Sequence, residues 1–102
     1  MSLEGFNPET KAREIVIDAI ATQLECSHDQ VSDKTALSQY GADDFERILI
    51  EIEDLGERLP QMEHHPHFHL DDDELETAKT VHDLIEITYK TLVGALRETK
   101  TK

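Results

Sequence analysis

The chain has 102 residues and sets 23 acidic against 10 basic side chains, which gives a formal net charge of −13 at pH 7. Residues 1–102 are expected to form a single domain, because this length suits one compact core and 37% of the residues are apolar. The charge disfavours direct binding to nucleic acid and to anionic membranes, since both depend on clustered Lys and Arg. A basic protein surface is the natural partner.

The first predicted helix covers about residues 8–24. Pro8 fits the first turn of a helix, because proline lacks the N–H that would go unpaired there. The apolar side chains that follow are spaced to lie on one helical face. They are Val16, Ala19, Ile20 and Leu24.

A long loop over residues 25–42 comes next. It is rich in Ser, Asp, Thr and Gln and shows no sustained period. Val31, Leu37 and Tyr40 are nevertheless spaced like the anchors of a structured loop, so we expect this segment to be held against the core rather than to act as a linker.

The second predicted helix, over about residues 43–58, has the strongest pattern in the chain. Asp43 as N-cap with Glu46 three residues later resembles a capping box. Gly56 is a candidate terminator of this helix, and Pro60 is a firmer stop. Its apolar residues recur at i, i+3, i+4, i+7 and i+10, as Phe45, Ile48, Leu49, Ile52 and Leu55.

The remaining segments predict a His-rich loop over residues 60–70, a short helix over about 71–77 and a last helix over about 80–97. The carboxylates at 71–74 suit the N-terminal turn of a helix, where they face the positive end of its dipole. Thr80 and Asp83 form a second capping box. Since no strand pattern is visible, the fold class is all-α, a four-helix bundle of three longer helices and one short helix.

Local motifs along this chain resemble those of one known family. Gln23-Leu24 stands a short fixed gap before Val31, Gly41-Ala42-Asp43-Asp44-Phe45 opens the second helix, and Thr80-Val81 opens the last one. These motifs and the order of elements, over about residues 15–92, resemble the acyl carrier proteins of fatty-acid and polyketide synthesis. The resemblance implies an acyl-carrier-like bundle in that kind of biosynthesis.

The chain departs from the family at the residue that defines its activity. The resemblance places Asp44 where a serine receives 4'-phosphopantetheine. A carboxylate has no hydroxyl to be phosphorylated, so we expect no such cofactor on this chain, and neither Ser32 nor Ser38 stands at the helix start. Three interpretations of Asp44 stay open: an exposed acid in a domain that has lost carrier function, a charge that stands in for the phosphate, or a misaligned motif or altered chain.

The resemblance also implies that the second helix binds partners through its charged residues. The partners would be basic surfaces of acyl-transfer, synthase or transferase enzymes. The alternative is an ordinary solvated helix face, which most charge runs are. Between Gly41 and Glu76 there are 13 acids and 2 basic residues, so most of the net charge lies there. The predicted partner-binding residues are Asp43, Asp44, Glu46, Arg47, Glu51, Glu53 and Asp54.

The His-rich loop is a separate candidate site. In an extended backbone His65, His67 and His69 project to one side. With Glu63 or one of Asp71–Asp73 they form a candidate weak site for Zn²⁺, Ni²⁺ or Cu²⁺, although the spacing matches no established zinc motif. The alternatives are a pH-responsive loop, whose imidazoliums pair with neighbouring acids, and a solvated insertion.

These patterns leave two further functions open beside the carrier-like one. The first is a stand-alone metal- or pH-responsive binding module built on His64–His69, and the second is an acidic mimic of nucleic acid. No nucleotide-binding or nucleophile motif occurs in the sequence, so we expect no enzymatic activity.

The other counts predict a small cytoplasmic protein, and we expect it to be a monomer. No apolar run approaches the about 20 residues that span a bilayer, and Met1–Pro8 lacks the basic start and apolar stretch of a signal peptide. Cys26 is the sole cysteine, which excludes an internal disulfide and fits a reducing compartment.

Overall fold

The computed structural model describes residues 7–59 and 68–100, and it describes side chains as far as residue 95. These ranges contain four α-helices and no strand, apart from an isolated bridge between Ala36 and Thr80. The predicted all-α bundle of three longer helices and one short helix is therefore confirmed. The helices are α1 (Pro8–Leu24), α2 (Ala42–Glu57), α3 (Asp72–Thr77) and α4 (Val81–Lys100).

The bounds of α1 coincide with those expected from Pro8 and the apolar spacing. Asn7 caps its start, where the side-chain Oδ1 accepts hydrogen bonds from the backbone N–H groups of Glu9 at 2.9 Å and Thr10 at 3.1 Å. At the other end Glu25 adopts the left-handed conformation with φ of 55°. This residue conformation closes the helix after Leu24.

The start of α2 differs from the prediction. Gly41 is the N-cap, no side chain caps the helix, and the predicted box of Asp43 with Glu46 is wrong. The carbonyl of Gly41 already accepts the N–H of Phe45 at 2.8 Å. Asp43 and Asp44 therefore lie inside the first turn, where their carboxylates face the positive end of the helix dipole.

Gly56 does not end α2, contrary to its interpretation as a terminator. The helix continues to Glu57, and Gly56 is buried under the ring of Phe68. A Cβ at position 56 would lie 2.5 Å from Phe68 Cδ1. Position 56 thus requires a glycine because the ring of Phe68 packs closely against it, and not because the chain turns there.

The core is almost wholly aliphatic and lies where α1 packs against both α2 and α4. The loop anchors behave as expected: Leu37 is buried, and Val31 and Tyr40 are half-buried against the core. The largest fully buried side chains are Phe68, Ile20, Ile48, Ile52, Leu70, Leu84, Leu92, Val16, Val81 and Thr88.

Backbone hydrogen bonds fix the long loop to the start of α4. The N–H of Leu37 bonds to the carbonyl of Lys79 at 2.8 Å, and the N–H of Val81 bonds to the carbonyl of Thr35 at 3.0 Å. The loop leads directly into Gly41, so this attachment also sets where α2 begins.

The predicted capping box of α4 is confirmed. Thr80 Oγ1 accepts the N–H of Asp83 at 3.3 Å, and Asp83 Oδ2 accepts the N–H of Thr80 at 3.2 Å. The same carboxylate oxygen accepts the N–H of Lys79 at 2.9 Å. These bonds, chiefly the one from Lys79, hold the pKa of the Asp83 carboxyl below its ordinary value of 3.8.

The lowered pKa of Asp83 predicts a pH-dependent contribution to stability. A carboxylate with a depressed folded pKa stabilises the protein above its unfolded pKa, and this contribution is lost as pH falls through the folded pKa. We therefore expect the stability gap between wild type and Asp83→Asn to shrink between pH 7 and about pH 3. Urea unfolding across that range measures the gap.

The control for this prediction is Glu46→Gln, which removes an exposed carboxylate without a hydrogen bond in the described part of the chain. Its gap from wild type should change less over the same range. A wild-type to Asp83→Asn gap that stays constant with pH would contradict the prediction.

Candidate functional site

Asp44 lies in the first turn of α2, half-buried beside Gly41. A Cβ built on Gly41 would lie 3.9 Å from Asp44 Oδ2. A carboxylate in the first helical turn is worth about 0.3–1 kcal/mol through the helix dipole. None of the three serines of the long loop shares this turn: Ser38 belongs to a short 3₁₀ turn, and Ser27 and Ser32 precede it.

The solvent-facing side of α2 has an apolar centre. Ile50 is 60% exposed, in contrast to the buried Ile48 and Ile52 on either side of it in sequence. Residues three, four and seven positions away share its helical face. They include Glu53, which contacts the backbone of Leu70. The other five are Asp43, Glu46, Arg47, Asp54 and Glu57, and we call this set with Ile50 the α2 face.

The carboxylates of the α2 face differ in their pairing. Within residues 7–59 and 68–95, Asp43, Glu46 and Glu57 form no ion pair. Asp54 pairs with Arg58 at 3.0 Å, one turn further along the helix. The face therefore offers unneutralised negative charge around an exposed apolar side chain.

Glu53, which was predicted to bind partners, is engaged inside the chain. Its Oε2 accepts the backbone N–H of Leu70 at 3.0 Å and lies 3.0 Å from His69 Nδ1. Its side chain is 28% exposed. Glu53 thus holds the end of the His-rich loop against α2. The half-buried Glu51 lies away from the α2 face.

Only some of the predicted metal ligands lie among the residues that the structure describes. His65 and His67 lie outside the described residues, as do Glu63 and His64. His69 is described, and its exposed ring meets Glu53. Among the described residues no three His, Cys, Asp or Glu side chains are placed to hold a metal ion.

Sequence reasoning missed two features of the surface. The first is Ile50, whose exposure can be found in the sequence because it falls outside the spacing of the other apolar residues of α2. The second is a cleft of about 480 Å³ between α1 and α4, which includes Arg13, Ile85 and Tyr89. No local signal marks this cleft, because helices far apart in sequence form it.

The described helices include none that is both long and apolar enough to cross a membrane. Comparison with known proteins returns no matching family model, no matching curated protein and no matching solved structure. The residues and their geometry are therefore the grounds on which a function is proposed.

Proposed function

We propose that this chain is an acyl-carrier-like protein of fatty-acid or polyketide-type biosynthesis. It docks through the α2 face on basic surfaces of acyl-transfer, synthase or transferase enzymes. It carries no phosphopantetheine, because Asp44 stands where the family has its serine. The observation that supports docking best is the exposed Ile50 beside Asp43, Glu46 and Glu57, three acids that have no ion-pair partner in the described part of the chain.

The α2 face has the composition of a binding patch. Binding energy concentrates on a few central side chains that lose all contact with water, while the surrounding charged rim contributes less. Covering Ile50 removes apolar surface from water, at about 25 cal/mol per Å². The carboxylates around it speed the encounter with a basic partner, and salt screens this effect over about 8–10 Å.

Asp44 adds a permanent negative charge at the head of the same helix. In the family that this chain resembles, the modified serine places a phosphate there. A carboxylate at this point supports docking on the same kind of basic surface, although it provides no arm for an acyl group.

The carrier assignment predicts that Asp44→Ser becomes a substrate for modification. We expect this variant, incubated with coenzyme A and a broad-specificity phosphopantetheinyl transferase, to gain the mass of one phosphopantetheine. Intact-protein mass spectrometry measures the gain. The wild-type chain is the control. It should stay unmodified because it has no serine in the first turn of α2, although it has Ser32 and Ser38 in the long loop. An unmodified Asp44→Ser would count against the carrier assignment.

The docking assignment predicts a loss of affinity when the α2 face is reversed in charge. We expect Asp43→Lys/Glu46→Lys to weaken binding to an immobilised phosphopantetheinyl transferase at least about tenfold, or about 1.4 kcal/mol, at low salt. Binding of the wild type should weaken as salt rises. Titration by biolayer interferometry measures both effects.

The matched control is Glu14→Lys/Asp29→Lys, which makes the same change in net charge at exposed positions outside α2. Its affinity should fall much less. An equal loss for both double variants would show that overall charge, and not the α2 face, governs the interaction.

A further inference from the structure

We infer that the cleft between α1 and α4 binds a small organic cation, an ammonium or guanidinium group carried on an apolar or aromatic body. This site is separate from the α2 face and does not depend on the carrier assignment. The cleft holds about 480 Å³, which falls within the range of about 300–1,000 Å³ typical of ligand pockets.

One end of the cleft is built from three segments tied together. The two terminal guanidinium nitrogens of Arg13 in α1, Nη1 and Nη2, each donate to the carboxylate of Asp33 in the long loop at 2.7 Å. The backbone carbonyl of Asp33 accepts the N–H of His82 in α4 at 2.9 Å. Because α1, the loop and α4 are joined in this way, the cleft is formed before any ligand arrives.

The balance of charge in the cleft favours a cation. Three basic side chains line the cleft, and each has an acidic partner. Arg13 meets Asp33, Lys90 Nζ lies 3.5 Å from Glu74 Oε2, and His82 Nε2 lies 3.1 Å from Glu86 Oε2. Of the remaining carboxylates of the lining, Glu9 and Glu86, neither is paired with a Lys or Arg in the described part of the chain.

These two carboxylates have few contacts of their own. Within the described residues Glu9 forms no ion pair, and Glu86 contacts the ring of His82 at 3.1 Å.

The apolar part of the lining selects the body of the ligand. Among the residues whose side chains are described, Tyr89 and Ile50 are the two large hydrophobic side chains that are exposed, Tyr89 at 36%. Ile85 lies one turn before Tyr89 on α4. Cations bind favourably over the faces of aromatic rings. An aromatic or aliphatic body against Ile85 and Tyr89 brings its charged group within reach of Glu9 or Glu86.

The test uses phenethylamine as the probe, with the full chain labelled with ¹⁵N. We expect saturable shifts of the backbone amides of residues 9–13 and 82–90 in two-dimensional NMR spectra. 2-Phenylethanol and 3-phenylpropionate have similar bodies without the positive charge, so they should bind more weakly at the same concentrations. Glu86→Gln and Tyr89→Ala should each weaken phenethylamine binding at least about threefold, and Tyr89→Phe should retain it.

Glu46→Gln is the matched control, since it removes one negative charge from the α2 face and should leave phenethylamine binding unchanged. Equal weakening by Glu46→Gln and Glu86→Gln would overturn the inference, because it would mean attraction to overall charge. Equal affinity for 2-phenylethanol, shifts confined to other helices, or shifts that never saturate would overturn it as well.

Discussion

Gly56→Ala is expected to destabilise the protein by about 1–3 kcal/mol, the usual cost of forcing extra atoms into a well-packed core. The new Cβ would lie 2.5–2.7 Å from three atoms of the Phe68 ring. Because Gly56 and Phe68 are both buried, the ring has to move away from α2. Urea unfolding followed by circular dichroism measures the loss.

Gly94→Ala is the matched control for this prediction. Gly94 also lies inside a helix, but a Cβ there meets nothing within 4 Å. Alanine is the better helix former by about 0.8–1 kcal/mol, so this substitution should stabilise the protein. If both alanine variants shifted stability in the same direction, the close contact between Gly56 and Phe68 would not be the cause.

Phe68→Ala is expected to cost more, about 3–5 kcal/mol, because it removes a large ring and leaves a cavity. The ring is 1% exposed and is the largest fully buried side chain among the described residues. Total stabilities of small domains are about 5–15 kcal/mol, so the variant should unfold at a much lower urea concentration.

Ile50→Ala is the control, since it shortens an apolar side chain that is 60% exposed. It should change the free energy of unfolding by no more than about 0.5 kcal/mol. The double variant Gly56→Ala/Phe68→Ala supplies a second check, because the methyl group no longer meets a ring. The cost of Gly56→Ala should therefore fall in the Phe68→Ala background, and an unchanged cost would contradict direct contact.

Local sequence signals predicted most of the helices. The predictions were less accurate where a residue's role depends on backbone capping or on contacts with distant parts of the chain. Pro8 and the apolar spacing placed α1 correctly, since both act within a few residues. The sequence predicted Asp43 as the cap of α2 because Asp is a common capping side chain. The helix is instead capped at Gly41, two residues earlier, without any side-chain cap. Gly56, the candidate terminator beside Pro60, lies one residue before the end of α2, and the reason for a glycine there is the ring of Phe68, twelve residues later in the chain.

The candidate site was predictable in composition but not in arrangement. The sequence places the acids on α2, yet it does not show that Glu53 accepts the N–H of Leu70 while Glu46 carries no ion pair in the described part. The exposure of Ile50 has a weak periodic signal. The cleft between α1 and α4 has none, because it depends on contacts such as Arg13 with Asp33, which lie in different elements.

The crowding of acids on the α2 face also affects the helix itself. Asp43 and Glu46 are three residues apart on one helix and have no ion-pair partner among the described residues, and like charges on one helical face destabilise the helix by about 0.2–0.5 kcal/mol per pair. Added salt screens this repulsion, so moderate ionic strength should strengthen the fold while it weakens docking. A basic partner would relieve the same repulsion on binding, and the free protein therefore bears a strain that its complex does not.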